Sequence, residues 1–163
     1  MKQKTLWPTL IVALMAFGGH SLADDDGEMT RSEKRLARVM EDYKSTGVTK
    51  SCVSLRFLRD STIIDDQTIF FKGIGKKGYM NHLPHRCPRL ASEERFMYST
   101  SIAMLCNNEI ITVLDSFGRQ WGSCGLGQFE EMEKLSKAEK AERAAEEAAK
   151  EAEQDKGDEG ESN

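Results

Sequence analysis

Short runs of β-branched and aromatic residues alternate with turn residues through the middle of the chain. The runs cover residues 53–58, 68–71, 96–100 and 110–114, and glycine, asparagine and aspartate residues separate them. Within such runs, alternating side chains point to opposite faces of a β-sheet. The pattern therefore predicts a mainly β fold over residues 47–129: a small antiparallel meander, barrel-like and stapled by disulfides.

A helical pattern precedes this β region. Thr30 and Glu33 have the spacing of a capping box, in which each side chain accepts a hydrogen bond from the other residue's backbone. Four apolar residues then recur at helical spacing, namely Leu36, Val39, Met40 and Tyr43. Gly47 is typical of a C-terminal stop. We expect a helix over residues 30–46 that packs on the β region, because so short a helix is marginal alone.

The last part of the chain is rich in alanine, glutamate and lysine. It contains acid–base pairs at i,i+4 spacing: Glu130/Lys134, Glu133/Lys137, Glu139/Arg143 and Glu146/Lys150. Its alanines repeat in heptad form, but alanine buries too little area to hold a coiled coil. The pattern therefore allows only a weak helix–helix contact as an alternative. We expect residues 130–163 to form a solvated helical tail, disordered from Asp155 and separable from the fold.

The N-terminus has the form of an export signal. Lys2 and Lys4 precede an apolar run over residues 6–17, and Ala23 ends a small-x-small cleavage motif. That run is well short of the ~20 residues needed to span a bilayer. We therefore expect a signal peptide over residues 1–23, cleavage between Ala23 and Asp24, a flexible segment over 24–29, and a periplasmic or secreted mature chain without a membrane span.

Charge is unevenly distributed along the expected mature chain. Residues 24–46 carry 5 basic and 7 acidic side chains, residues 47–129 carry 10 and 7, and residues 130–163 carry 6 and 13. A mildly basic core with an acidic tail argues against nucleic acid as a partner, because phosphate binding needs a concentrated basic face.

The cysteines indicate a disulfide framework. There are four, Cys52, Cys87, Cys106 and Cys124, without any C-x-x-C motif. An even set of this kind in an exported protein is usually oxidised, and four cysteines allow three pairings. We favour Cys52–Cys124, which would join the first and last strands, with Cys87–Cys106 inside.

Residues 73–78 match the G-x-G-x-x-G motif of dinucleotide sites. That motif requires its third glycine to open a helix, whereas a strand-like segment ending at Pro84 follows here. We interpret residues 73–78 as a hairpin loop whose glycines supply positive φ.

Two sets of side chains are candidates for chemistry. His82, His85 and Cys87 could ligate a metal or haem iron if Cys87 were reduced, which an oxidising compartment disfavours. An enzyme would draw on these histidines with carboxylates from the set Asp65, Asp66, Glu109 and Asp115. No nucleophile motif or paired-carboxylate signature accompanies them. The sequence therefore assigns no catalytic residue, metal or cofactor.

Several short stretches carry a family resemblance: CVSLR at 52–56, DDQTI at 65–69, LP at 83–84 with CP at 87–88, ITVLD at 111–115 and SCGLG at 123–127. Over residues 50–130 the chain resembles a family of small exported proteobacterial proteins of unknown function. The resemblance implies an exported domain of this extent and no activity. We expect a non-enzymatic cell-envelope module that binds an envelope protein or surface component, with a periplasmic enzyme and a metal or haem binder as alternatives.

Overall fold

The computed structural model describes residues 29–158, with side-chain positions up to residue 150. The predicted signal peptide, its cleavage site at Ala23 and Asp24, the segment up to residue 28, and residues 159–163 lie outside the described residues. In chain order the elements are α1 (Arg31–Asp42), β1 (Tyr43–Lys50), β2 (Cys52–Ser54), a 3-10 turn (Leu55–Phe57), β3 (Leu58–Ile63), β4 (Thr68–Gly73), β5 (Lys77–His82), α2 (Leu90–Glu93), β6 (Phe96–Tyr98), β7 (Met104–Cys106), β8 (Ile110–Leu114), β9 (Gln120–Gly125), β10 (Phe129–Lys134) and α3 (Lys137–Asp158).

Helix α1 begins at the predicted capping box. The Thr30 N–H donates to Glu33 Oε2 over 2.7 Å, and the Glu33 N–H donates to Thr30 Oγ1 over 3.3 Å. These bonds satisfy backbone donors that a helix leaves free at its first turn. The start of the predicted helix is confirmed, and Val39 is buried under it.

The predicted helix over residues 30–46 is wrong at its C-terminal end. Helix α1 ends at Asp42, and Tyr43 opens β1 by pairing with Lys134. The Tyr43 ring is buried, with its centroid 4.8 Å from that of Phe70. Gly47, predicted to stop the helix, lies in an irregular part of β1 with a φ of 71°. Pairing with a strand distant in sequence therefore overrides the local helical spacing.

A five-stranded antiparallel sheet with the order β1-β10-β5-β4-β3 forms the centre of the fold. Strands β3, β4 and β5 follow one another and form a meander, as predicted. Strand β10 inserts between β5 and β1, and its Met132 lies opposite Gly78 on one side and Ser45 on the other. The predicted end of the β region at residue 129 is therefore wrong, because Phe129–Lys134 is an internal strand.

The two faces of the central sheet carry separate apolar clusters. Helix α1 packs against the first cluster, which contains Val39, Tyr43, Ile64, Phe70, Met80 and Met132. The second cluster joins the central sheet to the smaller sheets and includes Ile69, Phe71, Leu90, Leu105, Ile111 and Phe129. Strand β4 is buried almost throughout, as expected of a strand that lies between two layers.

Two smaller sheets complete the β structure of the described residues. One pairs β2 with β7, and the other has the order β6-β8-β9, so that the hydrophobic strand β8 is central in its sheet. The three sheets do not close into a barrel. The fold is mainly antiparallel β with an N-terminal and a C-terminal helix, as predicted, but without the predicted barrel-like closure.

All four cysteines are oxidised, but the predicted pairing is wrong. Cys52 bonds to Cys106, and Cys87 bonds to Cys124. Cys52 and Cys106 lie directly opposite each other in the β2–β7 pair, which places their sulfur atoms on one face. The prediction assumed one meander whose first and last strands meet. Instead, Cys124 lies in β9 of a smaller sheet, and the last strand in the chain is β10, which lies inside the central sheet beside β1.

The G-x-G-x-x-G stretch forms the predicted hairpin. It connects β4 to β5, and Gly75 has a φ of 71°. Gly73 is required sterically, because a Cβ there would lie 2.7 Å from the Lys77 carbonyl oxygen. Gly78 lies inside β5 and opens no helix, so this turn lacks the helix N-terminus on which a dinucleotide pyrophosphate rests.

The C-terminal segment docks on the core through the first turns of α3. The Ser136 N–H donates to Glu139 Oε2 over 2.8 Å, and Lys44 Nζ donates to Glu139 Oε1 over 2.5 Å. Hydrogen bonds from Lys44 and then from Ser136 lower the pKa of Glu139 to about 2. Arg143 Nη1 also donates to the Met40 carbonyl over 3.0 Å. These contacts contradict the expectation that the whole tail is separable.

Beyond Arg143 the helix is exposed, as a solvated tail requires. The predicted Glu146–Lys150 pair is present with a separation of 2.7 Å. Disorder from Asp155 is not observed in residues 155–158, because α3 continues to Asp158. Among residues 29–158, no helix is both long and apolar enough to cross a membrane.

Candidate functional site

One pocket gathers several of the predicted catalytic candidates. It has a volume of about 760 Å³ and lies between the start of α1, the β3–β4 turn and the end of β5. We call it the polar pocket. Its lining includes Ser32, Asp65, Asp66, His82 and Arg86. The structure therefore brings together three side chains that the sequence nominated for an enzyme.

The two aspartates of this pocket are engaged in local structure. Asp66 Oδ2 accepts from Arg86 Nε and Nη2 over 3.0 and 2.9 Å, and Asp66 Oδ1 accepts from the Ala91 N–H over 2.9 Å. Asp65 Oδ1 accepts from the Gln67 N–H over 2.6 Å, which forms an Asx turn between β3 and β4. Asp66 thus anchors the loop that leads to α2, and Asp65 shapes the turn.

His82 is not positioned as a general base. Its side chain is 63% exposed, and its nearest charged partner is Glu130, with 3.9 Å between Nε2 and Oε2. Among the described residues, His82 forms no hydrogen bond with Ser32, Asp65 or Asp66. A nucleophile, its base and an orienting group should lie within hydrogen-bond reach of one another. The polar pocket lacks that connection.

The remaining catalytic candidates lie elsewhere. His85 is exposed in the loop after β5, and Glu109 and Asp115 flank the two ends of β8. Asp115 Oδ1 accepts from the backbone of Phe117 and Arg119, and Arg119 Nε donates to Asp115 Oδ2 over 2.6 Å. Burial raises the pKa of Asp115, but these hydrogen bonds, led by the Arg119 backbone, outweigh burial and lower that pKa. Asp115 organises the β8–β9 turn.

The predicted metal or haem site required a free Cys87 thiolate, and the structure does not provide one. Cys87 is bonded to Cys124, so its sulfur cannot serve as a ligand beside His82 and His85. Within residues 29–158, no group of three or more histidine, cysteine, aspartate or glutamate side chains is arranged to hold a metal ion.

A second pocket has the character of a binding site. It has a volume of about 530 Å³, and eight residues line it: Lys50, Cys52, Val53, Ser54, Phe57, Ile74, Lys77 and Tyr79. We call it the apolar pocket. Its two most exposed apolar side chains are Phe57 (54%) and Ile74 (43%). Small-molecule sites are typically concave, mostly apolar and of about 300–1,000 Å³.

The exposure of Phe57 follows from the local backbone. The sequence pattern placed it on one strand face with Val53 and Leu55, but residues Leu55–Phe57 form a 3-10 turn. The turn breaks the period-2 alternation, so Val53 is buried whereas Phe57 is exposed. The Ile74 N–H donates to the Phe57 carbonyl over 2.8 Å, which ties the hairpin loop to this turn.

Two covalent or steric constraints hold the walls of the apolar pocket. The Cys52–Cys106 disulfide joins β2 to β7 beside Val53. Gly73 allows the β4–β5 turn to approach Lys77 and Phe57 closely, since a Cβ at residue 73 would lie 3.4 Å from the Phe57 carbonyl oxygen. The pocket is therefore built on paired strands and a closed turn.

Two lysines at the rim share one carboxylate. Lys77 Nζ lies 3.1 Å from Glu131 Oε1, and Lys50 Nζ contacts Glu131 Oε2. Hydrogen bonds from Lys50 and Lys77 lower the pKa of Glu131, and the bond to Glu131 raises the pKa of Lys77. The Lys50 ammonium also lies 5.8 Å from the centroid of the Tyr79 ring. The sequence reasoning missed this cluster because it assigned Glu131 to the tail.

The apolar pocket thus combines an apolar floor with a cationic rim, whereas the carboxylates of the polar pocket are already occupied. A scan against protein-family models finds no match, and neither do searches of curated proteins and of solved structures. The candidate site therefore rests on its own geometry.

Proposed function

We propose that the protein is an exported, non-enzymatic binding module of the cell envelope, periplasmic or secreted, which takes an apolar group of an envelope protein or surface component into the apolar pocket. The observation that carries the proposal is the exposure of Phe57 and Ile74 in a constrained concave site. Apolar side chains gathered in a concave site are typical of binding pockets.

Two further features support an extracytoplasmic module. Two disulfides with no free cysteine are typical of proteins from oxidising compartments. The export signal predicted over residues 1–23 agrees with that compartment, and we expect the native protein to begin at Asp24. Mass spectrometry of the protein from its own cells checks this, and an intact Met1 would contradict export. The exposed part of α3 offers a second contact surface.

Binding to the apolar pocket is testable with a neutral probe. We expect N-phenyl-1-naphthylamine to bind the oxidised protein saturably, with increased fluorescence, and Phe57→Ser to remove most of that signal. Phe117→Ser is the matched control, because Phe117 is 84% exposed and does not line the pocket. Equal binding by both variants, or no saturable binding by the wild type, would refute the proposal.

A second candidate function, hydrolysis in the polar pocket, has one observation in its favour: Asp65, Asp66 and His82 line the same concave surface. An enzyme of this kind should lose its activity in His82→Ala while keeping probe binding. Activity on esters or phosphoesters that His82→Ala abolishes would favour hydrolysis over the binding module.

A further inference from the structure

We propose that the ligand of the apolar pocket is an amphipathic anion. Its apolar chain would lie between Phe57 and Ile74, and its single carboxylate, sulfate or phosphate would be held at the rim by Lys50 and Lys77. The inference rests on the proposed binding function and specifies the chemical class of the ligand. The same chemistry occurs in free fatty acids and in the headgroups of anionic lipids.

The rim has more cationic donors than its internal carboxylate can use. Each lysine ammonium has three N–H donors, and Lys50 and Lys77 direct one ion pair each to Glu131. Two ammonium groups therefore share one ion-paired carboxylate. Glu133 lies opposite Lys77 in the β10–β5 pair and attracts it electrostatically, but it forms no ion pair with either lysine within the described residues.

The geometry leaves these donors within reach of solvent. The side chains of Lys50 and Lys77 are 38% and 58% exposed, whereas that of Glu131 is 17% exposed. The shared carboxylate is thus the least accessible member of the cluster, and both lysines line the apolar pocket. An anionic group could join the lysines without displacing Glu131.

The apolar side chains and the lysines of the pocket together favour a ligand that has both an apolar chain and an anionic group. The side chains of Phe57, Ile74 and Val53 offer no hydrogen-bonding groups, so a small inorganic anion would gain mainly exposed ion pairs, which contribute little. A neutral apolar ligand would leave the remaining N–H donors of both ammonium groups to water. The polar pocket suits an anion less well, because Asp65 and Asp66 line it and the Arg86 guanidinium there already pairs with Asp66.

Calorimetric titration with straight-chain carboxylates of eight to twelve carbons, each below its micelle concentration, tests the inference on the full oxidised mature chain. We expect affinity to rise about fourfold with each added methylene, as for apolar burial, and decanoate to bind about tenfold more tightly than decanol. Added salt should narrow the difference between the acid and the alcohol.

Variants separate the two parts of the site. Lys77→Gln should reduce decanoate affinity about threefold without changing decanol affinity, because one of two exposed ion pairs is lost, whereas Phe57→Ser should weaken both ligands. Lys72→Gln is the matched control, since Lys72 is an exposed lysine outside both pockets. Glu131→Gln removes the internal competitor and should strengthen decanoate binding. Lys77 is exposed, so its variant should fold even if the Glu131 variant does not.

The outcomes distinguish this inference from the proposed function. Equal affinity for decanoate and decanol would overturn the anionic ligand while leaving a binding pocket intact. Failure of both ligands, together with failure of the neutral fluorophore, would overturn both. A parallel arm with phosphatidylglycerol vesicles identifies the source: Lys77-dependent binding to vesicles indicates a lipid headgroup, and binding to monomeric decanoate alone indicates a free acid.

Discussion

Replacing Met132 by alanine tests whether the charged sequence after Phe129 belongs to the folded core. Met132 is 2% exposed and packs in the cluster formed with Val39, Tyr43 and Phe70. Truncating a buried methionine to alanine removes its transfer free energy and leaves a cavity, which costs about 2–5 kcal/mol. For a domain of this size we expect the melting temperature to fall by roughly 8 °C or more.

Urea denaturation of the oxidised protein at neutral pH measures this cost directly. The midpoint should fall in Met132→Ala while the slope stays constant, since the same surface is exposed on unfolding. Met97→Ala is the matched control, because Met97 is 44% exposed on β6, and we expect it to change stability by about 0.5 kcal/mol or less. If the two variants unfold at the same urea concentration, β10 is not part of the central sheet and the reasoning is refuted.

Three further predictions concern the frame of the fold. Non-reducing peptide mapping should find Cys52 joined to Cys106 and Cys87 joined to Cys124, and a Cys52–Cys124 peptide would contradict the topology. Gly127→Ala should lower the free energy of unfolding by about 1–3 kcal/mol in thermal denaturation, because a Cβ there would lie 1.8 Å from the His82 carbonyl oxygen. Gly122→Ala is the control, because a Cβ there would meet nothing within 4 Å, and it should leave the stability nearly unchanged. Equal destabilisation by the two variants would contradict the close packing of Gly127 on His82. An NMR titration should place the pKa of Glu139 at about 2, so its contribution to α3 docking is full above its ordinary pKa of 4.5 and is lost as pH falls towards 2. Lys44→Gln should raise that pKa, and an unchanged value would mean that Lys44 and Glu139 do not pair.

The sequence predicted those features that depend on residues close together in the chain. The capping box of Thr30 and Glu33 and the glycine hairpin over residues 73–78 are both present. Each follows from backbone conformation or side-chain alternation within a few residues. The mainly antiparallel β class follows from the same local signals.

The errors arose where pairing between distant segments decides the structure. Strand β10 contains three glutamates, and its acid-rich sequence resembles the helical tail that follows. It is nevertheless a central strand, because Phe129 and Met132 point to the two buried faces while Glu131 reaches the lysines at the pocket rim. Once β10 is assigned to a tail, the last strand becomes β9, and the cysteine pairing derived from that order is wrong as well.

The apolar pocket could not be predicted from the sequence, because segments distant in the chain form it. Phe57 follows the alternation of a strand, and only the 3-10 turn makes it a pocket residue. Lys50 and Lys77 come from different strands and meet at Glu131 on a third. Conversely, Asp65, Asp66 and Asp115 accept backbone hydrogen bonds that shape turns and loops.

Mapping amide chemical shifts in ¹⁵N-labelled protein during a titration with decanoate shows which pocket binds the ligand. We expect saturable shifts at residues of the apolar pocket, above all Ser54, Phe57, Ile74 and Lys77, with Thr68 and Leu83 of the polar pocket unchanged. Shifts confined to Thr68, His82 and Leu83, or the absence of saturable shifts in both pockets, would contradict this expectation.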